Sequence, residues 1–339
     1  MAAAGPASGG RTRGDRVGAA AYPHRMPDSP PPPSGASAGL AAGVVAYGLW
    51  GLFPLYFPLL EPAGALEIIA HRIVWSLVFC LVALAVTRSW RQFAQLWRTP
   101  RTLGLLGIAA VFLAVNWTVY VYGVNSGHVV DASLGYFINP LVTVLLAVGF
   151  LHERLRGVQW AALALGFVAV VVIALGHGTM PWIAVVLALS FGLYGLIKSR
   201  VGGHVEAAPG LAAETALLTP VAAGYWIWLS VQGSSTFAAH GGWHAAALAS
   251  TGIVTAVPLL LFGAATRRLP LSVVGLIQYL TPTLQFLIGV AVQHETMSPA
   301  RWAGFGLVWA ALLVLVVDSA WNRRVQVLQA RAAAEAAGA

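Results

Sequence analysis

The sequence has few charged residues and almost no cysteine. Only 9% of its 339 residues are charged, whereas 58% are hydrophobic. This balance lies far from that of an average soluble domain and places the chain among membrane proteins. The single cysteine, Cys80, excludes an intramolecular disulfide and gives no support for thiol redox chemistry.

Motifs that bind cofactors or form catalytic pairs are also missing. The single lysine, Lys198, lies in a segment that lacks the glycine required before it in a phosphate-binding loop. His152-Glu153 and His294-Glu295 lack the second histidine of a zinc-binding helix motif. Asp131 and Asp318 lie at the ends of apolar segments, which does not suit an intramembrane aspartyl protease. We therefore predict no metal and no cofactor, and a membrane-embedded enzyme is the weaker alternative.

What the sequence does contain is an internal duplication. Segment 47–52 returns as segment 191–196, and a segment around Pro140 that ends in His-Glu returns around Pro282. Each copy contains five apolar stretches of spanning length, so the second copy enters the membrane inverted relative to the first. Inverted repeats are typical of secondary transporters, whose substrate site lies near mid-membrane between the two halves.

Hydropathy predicts an all-α integral membrane fold with ten transmembrane helices, formed by two five-helix inverted repeats. The predicted spans are 39–60, 66–87, 103–124, 131–151, 157–176, 181–198, 209–231, 247–266, 271–292 and 300–320. Residues 1–36 are rich in Ala, Gly, Ser and Pro and are predicted to be a disordered cytoplasmic tail. The first repeat then covers 37–176, the second covers 177–320, and 321–339 form a cytoplasmic C-terminal tail.

The basic residues support this topology. Of 19 Lys and Arg residues, all but Arg72 and Arg301 fall in segments that ten spans place on one side. Because positive charge is retained on the cytoplasmic side, both termini are predicted to be cytoplasmic. The sequence pI of about 10.1 is then explained by orientation, and nucleic-acid binding is not needed to account for it.

Ionisable residues within the spans are the first candidates for function, because each costs roughly 2.5–3.5 kcal/mol near the bilayer centre. The second span carries Glu67 and His71 on one face, with Arg72 beside them, and the seventh carries Glu214 at the matching place. The alternative is that both glutamates lie near the surfaces as caps, while Arg72 is held by a backbone carbonyl.

Polar and aromatic residues of the third, fourth and ninth spans complete the candidate site. They are Asn116, Trp117, Tyr120, Tyr136, Asn139, Gln278 and Tyr279. Interfacial anchoring is the alternative explanation for the Trp and Tyr residues. Pro140 and Pro282 are predicted to kink their helices and expose backbone polar groups beside a cavity. For Pro54, Pro58, Pro220 and Pro258, ordinary tolerance of proline in membrane helices is the preferred interpretation.

Several of these stretches resemble the RarD family of EamA-type permeases, notably 67–76, 132–141, 214–215, 253–259 and 278–283. The resemblance runs from about residue 39 to 321. It implies membership of the drug/metabolite transporter superfamily, location in the bacterial plasma membrane, and export of small metabolites or drugs. RarD proteins carry a chloramphenicol label, which is a weak guide to substrate. His152, His294 and Thr143 depart from the residues common in that family.

These observations predict a secondary active exporter that works by alternating access around a cavity lined by spans one to four and six to nine. Proton coupling through Glu67, Glu214 or His71 is one possible mechanism. A gradient-independent facilitator or exchanger of amino-acid-like metabolites is the alternative, with Arg72 holding an anionic or zwitterionic substrate. The expected partners are a small molecule, the lipid bilayer and protons. Oligomeric state is not predicted.

Overall fold

The computed structural model describes residues 36–151, 155–177, 180–201, 205–266, 268–269 and 271–338. Except for Ala36, the predicted N-terminal tail lies outside these ranges, as does the His152-Glu153 pair. Within the described ranges every regular element is a helix. The prediction of an all-α fold is therefore confirmed for this part of the chain.

The helices follow the order of the predicted spans. The first half contains α1 (Ala36–Gly51), α2 (Phe53–Tyr56) with a 3-10 turn (Phe57–Leu60), α3 (Ala65–Thr87), α4 (Trp90–Trp97), α5 (Pro100–Asn125), α6 (Val129–Leu151) and α7 (Gly157–His177). The second half contains α8 (Trp182–Val201), α9 (Ala207–Val231), α10 (Gly241–Thr266), α11 (Leu271–Ile277), α12 (Leu280–Leu287) with a π-helical segment (Ile288–Val292), and α13 (Pro299–Gly338).

Seven helical stretches in the described ranges are long and apolar enough to cross a membrane, or up to eight if the bent pair at the start is one span. The apolar stretch Trp182–Lys198 of α8 is shorter, and α9 is not among the seven. The chain is thus a multi-pass membrane protein, and the count of ten crossings stays a prediction.

The first predicted span is bent by 44° between α1 and α2, where a single helix was expected. Pro54 and Pro58 lack the N–H groups that would bond the carbonyls of Trp50 and Pro54 in a continuous helix. Side chains in and just after the ninth predicted span replace those bonds: Gln285 Nε2 donates to the Trp50 carbonyl and Gln293 Nε2 to the Pro54 carbonyl, both at 3.2 Å. The two prolines therefore have a specific role, contrary to our interpretation of them as merely tolerated.

The two copies differ at their matched prolines. The ninth predicted span is interrupted between α11 and α12, so that Pro282 lies in the first turn of α12, whereas α6 continues without a break through Pro140. A further difference from prediction is α4, a short helix that lies between the second and third predicted spans and packs against α9 and α5. At the C-terminus, α13 runs past the predicted span end at residue 320 to Gly338.

Helix packing has an internal symmetry. If α1, α3, α5, α6 and α7 are exchanged with α8, α9, α10, α12 and α13, the most extensive helix pairs map onto one another. The pairs α6–α8, α5–α8 and α3–α10 become α12–α1, α10–α1 and α9–α5. The pairs α3–α9, α6–α12 and α7–α13 map onto themselves. The duplication seen in the sequence thus extends to tertiary packing.

Small residues allow two of these pairs to approach closely. At Gly252 in α10, an added Cβ would overlap the backbone of Trp75 in α3, so the helices touch through main-chain atoms. At Gly135 in α6, a Cβ would lie 2.8 Å from the Ala184 carbonyl oxygen of α8.

Candidate functional site

The centre of the candidate site is Arg72, which lies in α3 and is only 3% exposed. Its Nε donates a 2.8 Å hydrogen bond to Thr255 Oγ1 of α10, and the Thr255 hydroxyl donates in turn to the Thr251 carbonyl. The guanidinium carbon lies 4.0 Å from the ring centroid of Trp117 in α5. Arg72 is therefore held by a neutral hydroxyl and a cation–π contact, with groups from both halves of the chain.

Arg72 has no acidic partner among the described residues. The ionisable groups that influence it are tyrosines, and its Nη1 is buried without a hydrogen bond in the described part of the chain. An uncompensated charge in a protein interior costs several kcal/mol, so a buried guanidinium is usually paired. The arrangement leaves Nη1 of Arg72 available to a ligand.

Aromatic side chains surround this cation. Phe53 of α2 and Phe57 of the 3-10 turn lie 5.5 Å and 5.7 Å from the guanidinium carbon. The ring of Tyr120 in α5 contacts the rings of Phe57 at 6.0 Å and of Tyr136 in α6 at 5.7 Å. The site thus combines one cation with flat apolar walls.

Asn116 and Tyr136 form a hydrogen-bond network beside the candidate site. The Tyr136 hydroxyl donates to Asn116 Oδ1 at 3.0 Å. Asn116 Nδ2 donates to the Leu187 carbonyl at 3.0 Å and to Ser190 Oγ at 3.1 Å, both in α8. The amide is therefore satisfied within the protein, and its role in this conformation is to join α5, α6 and α8.

Sequence reasoning missed Gln285, which is 2% exposed in α12. Because its Nε2 donates to the Trp50 carbonyl, the amide orientation is set and Oε1 points away as a free acceptor. The Gln285 side chain lies within reach of the Tyr120 hydroxyl. A ligand that donates a hydrogen bond could satisfy Oε1, which is buried without a partner among the described residues. The carbonyl that Pro54 leaves free was the available sequence signal.

A cavity of about 410 Å³ lies at the end of the bundle formed by the α5–α6 turn, the 3-10 turn and segment 293–298, called here the upper end. Its lining comprises Pro54, Leu55, Pro58, Glu61, Val124, Asn125, Gly127, Val292 and Gln293. Phe57 lies between the lining residues Pro54 and Pro58 in the chain, and Tyr120 lies one turn before the lining residue Val124, so both contacting rings adjoin the cavity lining in sequence.

The two intramembrane glutamates have partners. Glu67 accepts bonds from the Ser235 hydroxyl at 3.0 Å, and from the Thr236 backbone N–H at 2.7 Å and hydroxyl at 3.0 Å. Glu214 forms an ion pair with Lys198 at 2.7 Å and accepts a long bond from the Tyr194 hydroxyl at 3.4 Å. Both carboxylates therefore fix helix ends or neighbouring helices in this conformation, and neither contacts Arg72.

His71 is fully buried between two aromatic rings. Its centroid lies 4.3 Å from that of Trp226 and 4.8 Å from that of Phe237, and neither ring nitrogen is hydrogen-bonded within the described residues. The remaining candidates lie elsewhere. Asn139 Oδ1 lies beside Gly192 of α8, whereas Tyr279 packs against a cluster that includes Phe137, and Gln278 is half-buried. The structure thus unites Arg72, Trp117 and Tyr120, and it places the others around them or away from them.

A second buried arginine lies at the upper end. Arg301 of α13 pairs with Asp131 of α6 at 2.7 Å and donates to the Thr296 carbonyl at 3.1 Å. Next to it, Glu295 accepts hydrogen bonds from the first backbone N–H groups of α6, at Val129 and Val130. Burial raises the pKa of the Glu295 carboxyl above its usual value, and these N–H bonds oppose the shift.

A buried polar cluster enclosed by apolar helices of spanning length defines a multi-pass membrane protein. The model of the EamA-like transporter family matches residues 35–175. Protein RarD of Streptomyces exfoliatus is 54% identical over 300 residues, which cover 88% of this chain and 93% of that protein. The chloramphenicol-sensitive protein RarD of Pseudomonas aeruginosa is 29% identical over 292 residues, which cover 85% and 96%.

One crystal structure at 18% identity aligns with a TM-score of 0.50 over 83% of this chain and 96% of that chain, which supports the fold alone. On the sequence comparisons, the chain belongs to the RarD family of EamA-type transporters.

Proposed function

We propose that this chain is a secondary transporter that exports small metabolites or drugs by alternating access, with Arg72 at its central site. The observation that carries the proposal is that this buried guanidinium lacks a counter-ion among the described residues and lies between the halves of the chain. Charged groups inside membrane helices commonly mark substrate pathways.

Ten helices in two inverted repeats belong to the same proposal. Its support is the packing pattern, which is unchanged when each helix is exchanged with its counterpart. In such an arrangement, each half can take the role of the other, which converts a site open on one side into a site open on the opposite side. The loop charges support cytoplasmic termini and an upper end that faces the outside.

In this proposal, the bent first span is the outer gate. Phe57 and Tyr120 close Arg72 off from the upper cavity, and Gln285 and Gln293 hold the bent segment through its free carbonyls. Opening requires these two side-chain bonds to break while the aromatic contact separates.

Two transport mechanisms, proton coupling and exchange without protons, have some support in the contacts of the glutamates. Protonation of Glu214 would weaken its ion pair with Lys198 and so couple a proton to the α8–α9 contact. Exchange without protons is the second candidate, and it is favoured by the fact that Glu67 and Glu214 are both already hydrogen-bonded.

The test is uptake of labelled organic acids, amino acids and chloramphenicol into inverted membrane vesicles, with and without a pH gradient. Arg72→Met is compared with Arg156→Met, which removes a half-exposed cation paired with Asp318. We expect uptake above empty vesicles that Arg72→Met abolishes and Arg156→Met retains. Equal uptake by wild type and Arg72→Met would show that the substrate site does not include Arg72. Failure of every compound to be taken up would contradict the transport proposal. Collapse of the gradient separates proton coupling from exchange.

A further inference from the structure

We propose that the Arg72 site takes a small organic carboxylate with a net charge of −1, a hydroxyl or neutral N–H donor, and an apolar body. This inference rests on the transport role proposed above, and it names the chemical class of the substrate. It is drawn from three buried atoms without partners in the described residues: Arg72 Nη1, the Tyr120 hydroxyl and Gln285 Oε1.

The negative charge follows from charge balance. Arg72 is 3% exposed, and its near neighbours are neutral: Thr255, Trp117, Phe53, Phe57 and the tyrosines. A ligand with one negative charge would neutralise the guanidinium in a low-dielectric site. A carboxylate oxygen is also a strong acceptor for the unpartnered Nη1 N–H, because the hydrogen bond is then charged on both sides.

The donor requirement follows from Gln285. One N–H of its Nε2 donates to the Trp50 carbonyl, and its Oε1 is buried without a partner among the described residues; an amide oxygen can only accept. The Tyr120 hydroxyl lies within reach of the Gln285 side chain and can donate to a carboxylate oxygen. The two groups therefore offer opposite hydrogen-bonding characters to a ligand bound beside Arg72.

A net charge of −1 distinguishes this class from zwitterionic amino acids. An ammonium group placed against Gln285 Oε1 would add a second buried cation to the same site as Arg72. No carboxylate among the described residues influences Arg72 there, so the protein would not compensate that second positive charge. A neutral compound has the opposite fault, because it leaves Arg72 uncompensated.

An isosteric series separates these requirements. 3-Phenyllactate has the proposed charge and donor, phenylalanine is the zwitterion, 3-phenyllactamide is neutral, and 3-phenylpropionate lacks the donor. Binding of each to the purified full-length protein in lipid nanodiscs is measured by tryptophan fluorescence, for which Trp117 lies at the site, and by thermal shift. Chloramphenicol serves as a second neutral probe.

We expect 3-phenyllactate to bind about tenfold or more tightly than each of the other four compounds. Arg72→Met should weaken 3-phenyllactate binding about 10- to 100-fold, and Arg72→Lys should not restore it fully, since the fork of donors is lost. Tyr120→Phe and Gln285→Met, which preserve side-chain size, should each weaken it several-fold. Gln285→Met should also reduce the preference for 3-phenyllactate over 3-phenylpropionate.

The inference is overturned if phenylalanine or 3-phenyllactamide binds as tightly as 3-phenyllactate, if Tyr120→Phe and Gln285→Met leave binding unchanged, or if no member of the series binds. Because binding is measured without transport, its outcome is independent of vesicle uptake. Specific binding without uptake would uphold the ligand class and count against the transport proposal. Uptake of phenylalanine alone would uphold transport and overturn the class.

Discussion

Two buried arginines in this molecule have opposite surroundings. Arg301, 5% exposed, is paired with Asp131, whereas Arg72, 3% exposed, faces a hydroxyl and aromatic rings. The first joins α6 to α13 at the upper end, and its charge is compensated by the protein. The second lies at the junction of the halves and has no carboxylate partner among the described residues. Each arginine has one buried nitrogen without a hydrogen bond there, Nε of Arg301 and Nη1 of Arg72, so the difference between them is the counter-charge. The comparison indicates that the protein uses one guanidinium to hold helices together and keeps the other for a ligand.

Breaking the compensated pair should have the largest effect. Asp131→Ala leaves the Arg301 cation buried without its carboxylate, and we expect a loss of roughly 3–5 kcal/mol in stability. Thermal unfolding of the purified protein in detergent measures it. The matched control is the double variant Asp131→Leu with Arg301→Met, which replaces both charges and should recover most of the stability. A double variant as unstable as the single one would show that the pair has another role.

Removing the uncompensated arginine should give the reverse pattern. We expect Arg72→Met to abolish ligand-dependent uptake, a loss of about 100-fold, while the thermal midpoint stays the same or rises. The midpoint should not fall because no acidic partner among the described residues loses its counter-charge. Uptake assays and thermal unfolding on the same preparation measure the loss of uptake and the thermal midpoint. A midpoint that falls as far as that of Asp131→Ala would remove the distinction between the two arginines.

Removing one side of the Phe57–Tyr120 contact should expose the Arg72 region to the upper cavity. In a Cys80→Ser background, Thr255→Cys places a single thiol next to Arg72, and Phe57→Ala removes one side of the Phe57–Tyr120 contact. We expect labelling of this thiol by an impermeant maleimide to accelerate about tenfold or more when Phe57 is replaced. Val221→Ala, at an exposed position of α9, is the matched control. Equal labelling rates in all three proteins would show that the Phe57–Tyr120 contact does not close the Arg72 region off from the upper cavity.

The smallest effect concerns Glu295, beside the Arg301 pair. Burial raises the pKa of its carboxyl in the folded protein, with Asp131 adding to the rise and Arg301 opposing it. The folded state then binds the proton more tightly than the unfolded state, so stability should fall as pH rises from the ordinary glutamate pKa through the raised value. Glu295→Gln cannot titrate and should flatten this slope, with differences of about 1 kcal/mol or less. Thermal midpoints from pH 4 to 8 measure it, and an unchanged slope would contradict the assignment.

The features predictable from sequence were those with strong local signals. An arginine such as Arg72 is rare in a membrane span, and Tyr120 follows Asn116 at i,i+4 spacing on a span that also carries Trp117, so the core of the candidate site could be predicted. The RarD resemblance and the membrane class are confirmed by the comparisons and by the apolar helices. The packing of α1 against α12, far apart in the chain, carried no such local signal.

Gln285 and Thr255 were missed for that reason. Their roles depend on partners about 235 and 183 residues away in sequence, Trp50 and Arg72. A lone amide or hydroxyl in an apolar run can bond its own helix, and only tertiary packing decides otherwise. Pro54 was visible in the sequence, but the donor that satisfies the carbonyl it frees was not.

The contact at Gly252 has a mechanical consequence. Helices that meet through interlocked side chains must unmesh before one can turn against the other, whereas α3 and α10 meet here through bare main chain. In the proposed transport cycle, this crossing lets the two helices that carry Arg72 and Thr255 turn against each other. A methyl group at residue 252 would overlap the Trp75 backbone and push these helices apart, so it would strain the Arg72–Thr255 bond as well as hinder the movement.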